Sequence, residues 1–71
     1  NPGNGIFKIQ LNEQDKTVNS LLEVYSVSGE KILQMQGELP EHIDLTDYAR
    51  GLYILKISTE KGLRIKKLVL Q

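Results

Sequence analysis

GLYILKISTEKGLRIKKLVLQ, residues 51–71, is the stretch on which the fold turns. Tyr53, Leu55 and Ile57 alternate with Lys56 and Ser58, the period of a half-buried strand. Glu60-Lys61-Gly62 is a turn signal, and Leu63–Leu70 returns as a second run. The spacing predicts a closing hairpin of Leu52–Ser58 with Leu63–Leu70. In the second run Arg64 and Lys66 share a face with Leu68 and Leu70, whereas Lys67 has the parity of Ile65 and Val69. That conflict predicts either that Lys67 snorkels at a sheet edge or that a bulge shifts the register.

Working outward, period two persists. Phe7, Ile9 and Leu11 alternate with Lys8 and Gln10. Leu21–Val27 alternates less strictly, as suits a strand partly covered on both faces. Ser28-Gly29 supplies a turn, and Glu30–Gln36 is expected to return as the partner strand, making Ser20–Gln36 a hairpin. Gly37-Glu38-Leu39-Pro40 ends that pairing, since Pro cannot donate to a ladder. Glu41–Leu45 reads as a short edge strand. Thr46–Gly51 reads as a capped turn or a single 3₁₀ turn, with Thr46 or Asp47 bonding to backbone N–H groups and Gly51 reversing the chain. Asn12–Asn19 is polar and reads as a loop, and the first strand is expected beside the last. The sum is an all-β fold, a small immunoglobulin-like antiparallel β-sandwich of about six to seven strands, forming one domain over residues 1–71.

Size limits what such a domain can do. A chain of 71 residues buries only about 60% of its unfolded surface, so its core is marginal. The absence of cysteine excludes disulfides and thiolate metal sites. No run approaches the roughly 18 apolar residues of a membrane span, and Asn1-Pro2-Gly3-Asn4 has nothing of a signal peptide. The lack of an initiator Met suggests a piece of a longer protein. Net charge is zero but uneven: residues 36–50 carry −3 and residues 51–71 carry +4. An acidic strand lying beside a basic one is the ordinary reason for such asymmetry, and with one Phe, three Tyr and no Trp there is no stacking platform for nucleic acid.

The candidate chemistry is thin. His42, Asp44 and Asp47 are the nearest approach to a metal or acid/base cluster, but a lone imidazole does not make a zinc site and the oxygens are too few for calcium. Asp44 reads better as a strand end, with Thr46 or Asp47 capping the turn after it. Asn1–Gly5 is Gly-rich without the Lys of a phosphate loop and reads as a tight turn feeding a strand. Ser20, Ser26, Ser28 and Ser58 lack a nucleophile elbow, so no catalytic residue and no cofactor is expected. Lys61, Arg64, Lys66 and Lys67 form the one surface feature with functional potential.

Four motifs in order resemble one family along the whole chain. Asn1, Pro2, Gly5 and Phe7 are similar to its opening Asn-Pro-x-x-Gly turn and following aromatic strand. Val24, Tyr25, Gly29 and Ile32 resemble its central Val-Tyr-x-x-x-Gly-x-x-Val element. Ile43, Asp44, Leu45, Thr46, Gly51 and Tyr53 resemble its Ile-Asp-Leu-Ser…Gly-x-Tyr segment, and Lys66, Lys67, Leu68 and Val69 resemble its Lys-Lys-Leu/Ile-Val/Ile ending. The family is the type A C-terminal sorting domain of type IX (Por) secretion.

The resemblance implies a non-catalytic address carried by an exported protein of a Gram-negative bacterium. Its implied partners are an N-terminal passenger, the outer-membrane translocon and a sortase-like peptidase, and the implied destination, by way of the periplasm, is the cell surface or the medium. On this reading Lys66, Lys67, Leu68, Val69, Leu70 and Gln71 carry recognition, while Asn1, Pro2, Gly5, Phe7, Gly29, Asp44, Gly51 and Tyr53 are structural. The alternative is an immunoglobulin-like adhesion or carbohydrate-binding module of a secreted enzyme, for which Tyr48 is the only platform residue once Tyr25 and Tyr53 are packed. Exposed strand edges also predict self-association of an isolated fragment.

Overall fold

A computed structural model of the chain describes residues 2–9 and 19–71. Seven strands lie within them: β1 (Pro2–Gly3), β2 (Ile6–Lys8), β3 (Ser20–Ser26), β4 (Lys31–Gly37), β5 (His42–Asp44), β6 (Gly51–Thr59) and β7 (Gly62–Leu70). They form a five-stranded sheet in the order β1-β7-β6-β3-β4 and a two-stranded sheet of β2 with β5. Every pairing is antiparallel except β1 with β7, which is parallel. The strand expected beside the last, the run through Phe7 and Ile9, forms β2 and pairs with β5 instead; the neighbour of β7 is Pro2–Gly3, which the sequence reads as only a turn. Asn1, Gln10, Leu11 and all of the expected loop Asn12–Asn19 but Asn19 itself fall outside the described residues.

Alternation puts one face of each sheet inward. On β6, Tyr53, Leu55 and Ile57 are buried, and Leu68 and Leu70 of β7 join them. Leu22 and Val24 of β3 are fully enclosed. The small sheet closes over this face with Phe7 opposite Ile43, flanked by Ile9 and Leu45, while Ile6, Lys8, His42 and Asp44 point outward. At roughly 25 cal/mol per Å², each fully buried Leu or Ile contributes about 2 kcal/mol. Among the described residues, eleven buried apolar side chains thus form one continuous core between the layers.

Partial cover on both faces of β3 holds as the sequence predicts. Its outward Glu23 is 8% exposed, accepting a 2.6 Å bond from the Tyr25 hydroxyl and lying 3.3 Å from Lys31 Nζ. Ser26–Glu30 turns β3 into β4: Ser26 N–H donates to Glu30 O, Gly29 N–H to Ser26 O, and Gly29 takes a φ of 93°.

The register shift lies here and not in β7. Val24 opposes Leu33 and Tyr25 opposes Lys31, so Ile32 is the extra residue of a β-bulge. The β6–β7 ladder runs unbroken from Gly51 opposite Leu70 to Thr59 opposite Gly62, which removes the bulge, one of the two alternatives at Lys67. The charge asymmetry has a different basis from the one expected, too. The acidic stretch contributes β5, which pairs with β2 and not with the basic β7.

Candidate functional site

Motif residues from two distant segments meet at the small sheet: Gly5 and Phe7 of the opening segment, and Ile43 and Asp44. Gly5 immediately precedes β2, is buried, and has a φ of 123°. Its carbonyl accepts a 2.6 Å hydrogen bond from Leu45 N–H, while Ile9 N–H donates to Glu41 O at the other end of the pairing. Asp44 ends β5 and folds its carboxylate back: Oδ1 accepts from Thr46 N–H at 2.9 Å and from Thr46 Oγ1 at 2.6 Å. Those two bonds, the hydroxyl first, hold the Asp44 carboxyl below its ordinary acid range. The capping group is therefore Asp44, in an Asx-type turn, and not Thr46 or Asp47. A carboxylate two residues ahead reaches the Thr46 N–H, whereas the Thr46 hydroxyl is spent donating back to it.

The turn after β5 is fixed at two further points. Tyr48 N–H donates to Leu45 O, and the Tyr48 hydroxyl donates to the carbonyl of the bulged Ile32 at 3.1 Å. Tyr48 therefore ties the turn to the edge strand β4 and keeps 39% exposure. Tyr53, at 6%, directs its hydroxyl to Ala49 O, pinning the start of β6 to the turn that precedes it. Tyr53 is core and Tyr25 is half-buried. No aromatic pair forms a flat exposed platform among the described residues, and no three His, Cys, Asp or Glu side chains among them are grouped to hold a metal ion.

The terminal strand carries the charge. Its inner parity holds Arg64, Lys66, Leu68 and Leu70, facing Ile57, Leu55, Tyr53 and Gly51 across the ladder. Only Leu68 and Leu70 are buried. Arg64 and Lys66 are exposed where a cleft of about 350 Å³ separates the layers, lined also by Ile9, Leu55, Ile57 and Lys8. Lys67 projects from the opposite face of β7, between Ile65 and Val69, which are 63% and 37% exposed. The cations thus straddle one strand, and Gln71 follows it, exposed.

An all-β sandwich whose motif residues are turn and core elements, with its distinctive charge on β7, defines a small immunoglobulin-like domain. The family is specific: the model of the secretion system C-terminal sorting domain matches residues 1–71, and the chain belongs to that family. A search of curated proteins gave no match. Membership makes this a sorting signal of type IX secretion, of a family that is generally non-catalytic, engaging the secretion machinery for export to the cell surface or the medium.

Of the residues singled out in the sequence, the fold gathers Gly5, Phe7 and Asp44 at the β2–β5 sheet and its turn, and places Gly29 in the turn between β3 and β4 and Gly51 and Tyr53 on β6. Sequence reasoning missed the Tyr48–Ile32 clamp. Its only signal was an aromatic residue in a polar turn, and the partner is a backbone atom that no side-chain pattern reports.

Proposed function

We propose that this domain stands at the C-terminal end of a longer secreted protein and directs that passenger through the type IX outer-membrane translocon to the surface or medium, where a sortase-like peptidase removes it. The observation that carries the reading is the family match over all of residues 1–71. The recognised element is Lys66 to Gln71. Within it the exposed side chains are those of Lys66, Lys67, Val69 and Gln71, while Leu68 and Leu70 hold the strand in place from the core. Cations on both faces of one strand suit attraction to an acidic receptor surface.

Fusing residues 1–71 to the C-terminus of a signal-peptide-bearing fluorescent reporter, in a strain with type IX secretion, tests this directly. Translocon-dependent appearance of the reporter outside the cell is the expected result. A folded, intact fusion held in the periplasm would overturn the reading. The Lys66→Glu, Lys67→Glu double variant is expected to lose export while changing stability by less than about 1 kcal/mol, as surface substitutions do. Undiminished export by that variant would remove the two lysines from the recognised element.

A further inference from the structure

The opening motif fixes Asn1, Pro2 and Gly5 and leaves the fourth position free, and here that position holds asparagine directly before the motif glycine. In an Asn-Gly pair the backbone nitrogen of the glycine can attack the side-chain amide, because no Cβ on the second residue hinders the approach. A fold suppresses that reaction by hydrogen-bonding the attacking nitrogen and by fixing the amide that is attacked.

Neither restraint operates here. Leu45 N–H donates to Gly5 O, which is half of the exchange that pairs two residues in an antiparallel ladder. The other half is missing: Leu45 O takes the N–H of Tyr48, and among the described residues no acceptor meets the Gly5 N–H. Asn4 is exposed, and its side-chain amide makes no hydrogen bond to a described residue. Gly5 is buried and anchored through its carbonyl, so the peptide unit before it is left to water while the one after it is held.

We propose that Asn4-Gly5 is a self-modification site of the folded domain, with water as the co-reactant, and that its isoaspartate product releases the contact between Gly5 and Thr46. The Gly5 amide nitrogen gives its proton to solvent base and attacks Asn4 Cγ. The new C–N bond closes a succinimide ring as the Cγ–Nδ2 bond breaks, and ammonia leaves with a proton taken from solvent. Water then opens the ring. Cleavage of the Cγ–N bond restores the ordinary backbone with aspartate at position 4, whereas cleavage at the main-chain carbonyl carbon leaves isoaspartate, in which the chain runs through Cβ and Cγ. Nothing is oxidised or reduced; water is consumed and ammonia released.

The two products act differently on the fold. Aspartate adds a charge to an exposed side chain and keeps the backbone length. Isoaspartate inserts a methylene into the main chain immediately before Gly5, which packs so closely on Thr46 that there is no room even for a Cβ. That product therefore loosens the junction of β2 with the turn after β5.

The test holds the folded protein in mildly alkaline buffer and reads each asparagine by peptide mapping, with electron-transfer fragmentation to separate the isomers. Asn4 is expected to convert ahead of Asn12 and Asn19, which precede Glu13 and Ser20. Its rate should lie within about threefold of that in a synthetic peptide of residues 1–8, because an unprotected site needs no prior opening of the fold. Conversion in the peptide with Asn4 intact in the folded protein would overturn the proposal. So would conversion that sucrose slows in the protein but not in the peptide, since that dependence marks reaction through an opened state. The isoaspartate fraction, separated chromatographically, is expected to melt roughly 10 °C below the parent, and the Asn4→Asp variant within about 3 °C of it. Equal melting of that fraction and the variant would refute the release of the Gly5–Thr46 contact.

Discussion

Gly5 and Thr46 approach so closely that a Cβ built on Gly5 would lie 2.6 Å from Thr46 Cγ2 and 2.9 Å from its Cα. The opening motif and the Asp44–Thr46 motif, with Gly5 and Thr46 forty-one positions apart in sequence, are thus two halves of one contact. Gly5→Ala adds a clash with backbone to the strain of an L-residue at a φ of 123°. The expected cost is about 2 kcal/mol or more, read as a drop of roughly 10 °C in Tm for a domain of this size. An unchanged Tm would mean that this contact does not exist in solution.

Acid stability should report on the same turn. The folded Asp44 carboxyl lies below its ordinary 3.8 because Thr46 donates to it twice. The Glu23 carboxyl lies below 4.5, chiefly through the Tyr25 hydroxyl, with burial opposing and Lys31 assisting. Both are depressed, so their stabilisation is present above those ordinary values and is lost as pH falls through the folded ones. Urea titrations between pH 6 and about 2.5 are expected to show that loss, with a shallower slope in Asp44→Asn. An identical slope in the variant would sink the assignment.

The alkaline side has the opposite sign. Tyr25 donates to Glu23 and its proton is held above the ordinary 10.0. A raised phenol stabilises fully below that value and ceases to do so as pH rises through the folded one. Tyr25→Phe is expected to flatten stability above pH 10 and to bring the Glu23 carboxyl back up. Carboxyl NMR titration of Glu23 checks this, and no movement would refute the coupling.

Tyr53→Phe isolates a single hydrogen bond. The ring keeps its buried place on β6, but Ala49 O loses the hydroxyl that satisfies it. A loss of about 1 kcal/mol is expected, or roughly 5 °C in Tm. Neutral behaviour would show that water replaces the hydroxyl at no cost.

The end of the chain must be dissected by substitution, not by deletion. Leu68 and Leu70 are 1% and 5% exposed, and Leu68→Ala should cost about 3 kcal/mol, a large share of the stability of a marginal small domain. Removing the last five residues is expected to unfold the domain, so lost secretion would follow from either cause. A truncated domain that still melts cooperatively at the parent temperature would overturn this account.

The sequence by itself determined the local elements and the family. Alternation at Tyr53, Leu55 and Ile57 and at Phe7 and Ile9 specified strands and their buried faces, because a period of two exposes only one geometry to the core. Gly29, Gly37 and Gly51 marked where the chain turns, and the ordered motifs from Asn1 to Val69 carried the kinship. Tertiary structure alone decided the partners. That β5 joins β2 and leaves the large sheet, that Ile32 and not Lys67 sits at the bulge, and that Tyr48 clamps the Ile32 carbonyl all depend on contacts between residues distant in sequence. The parallel placement of β1 on β7 belongs with these. Hydrophobic pattern says which way a side chain faces, but a backbone edge carries no side-chain signature, so what covers it is settled only when the strands assemble.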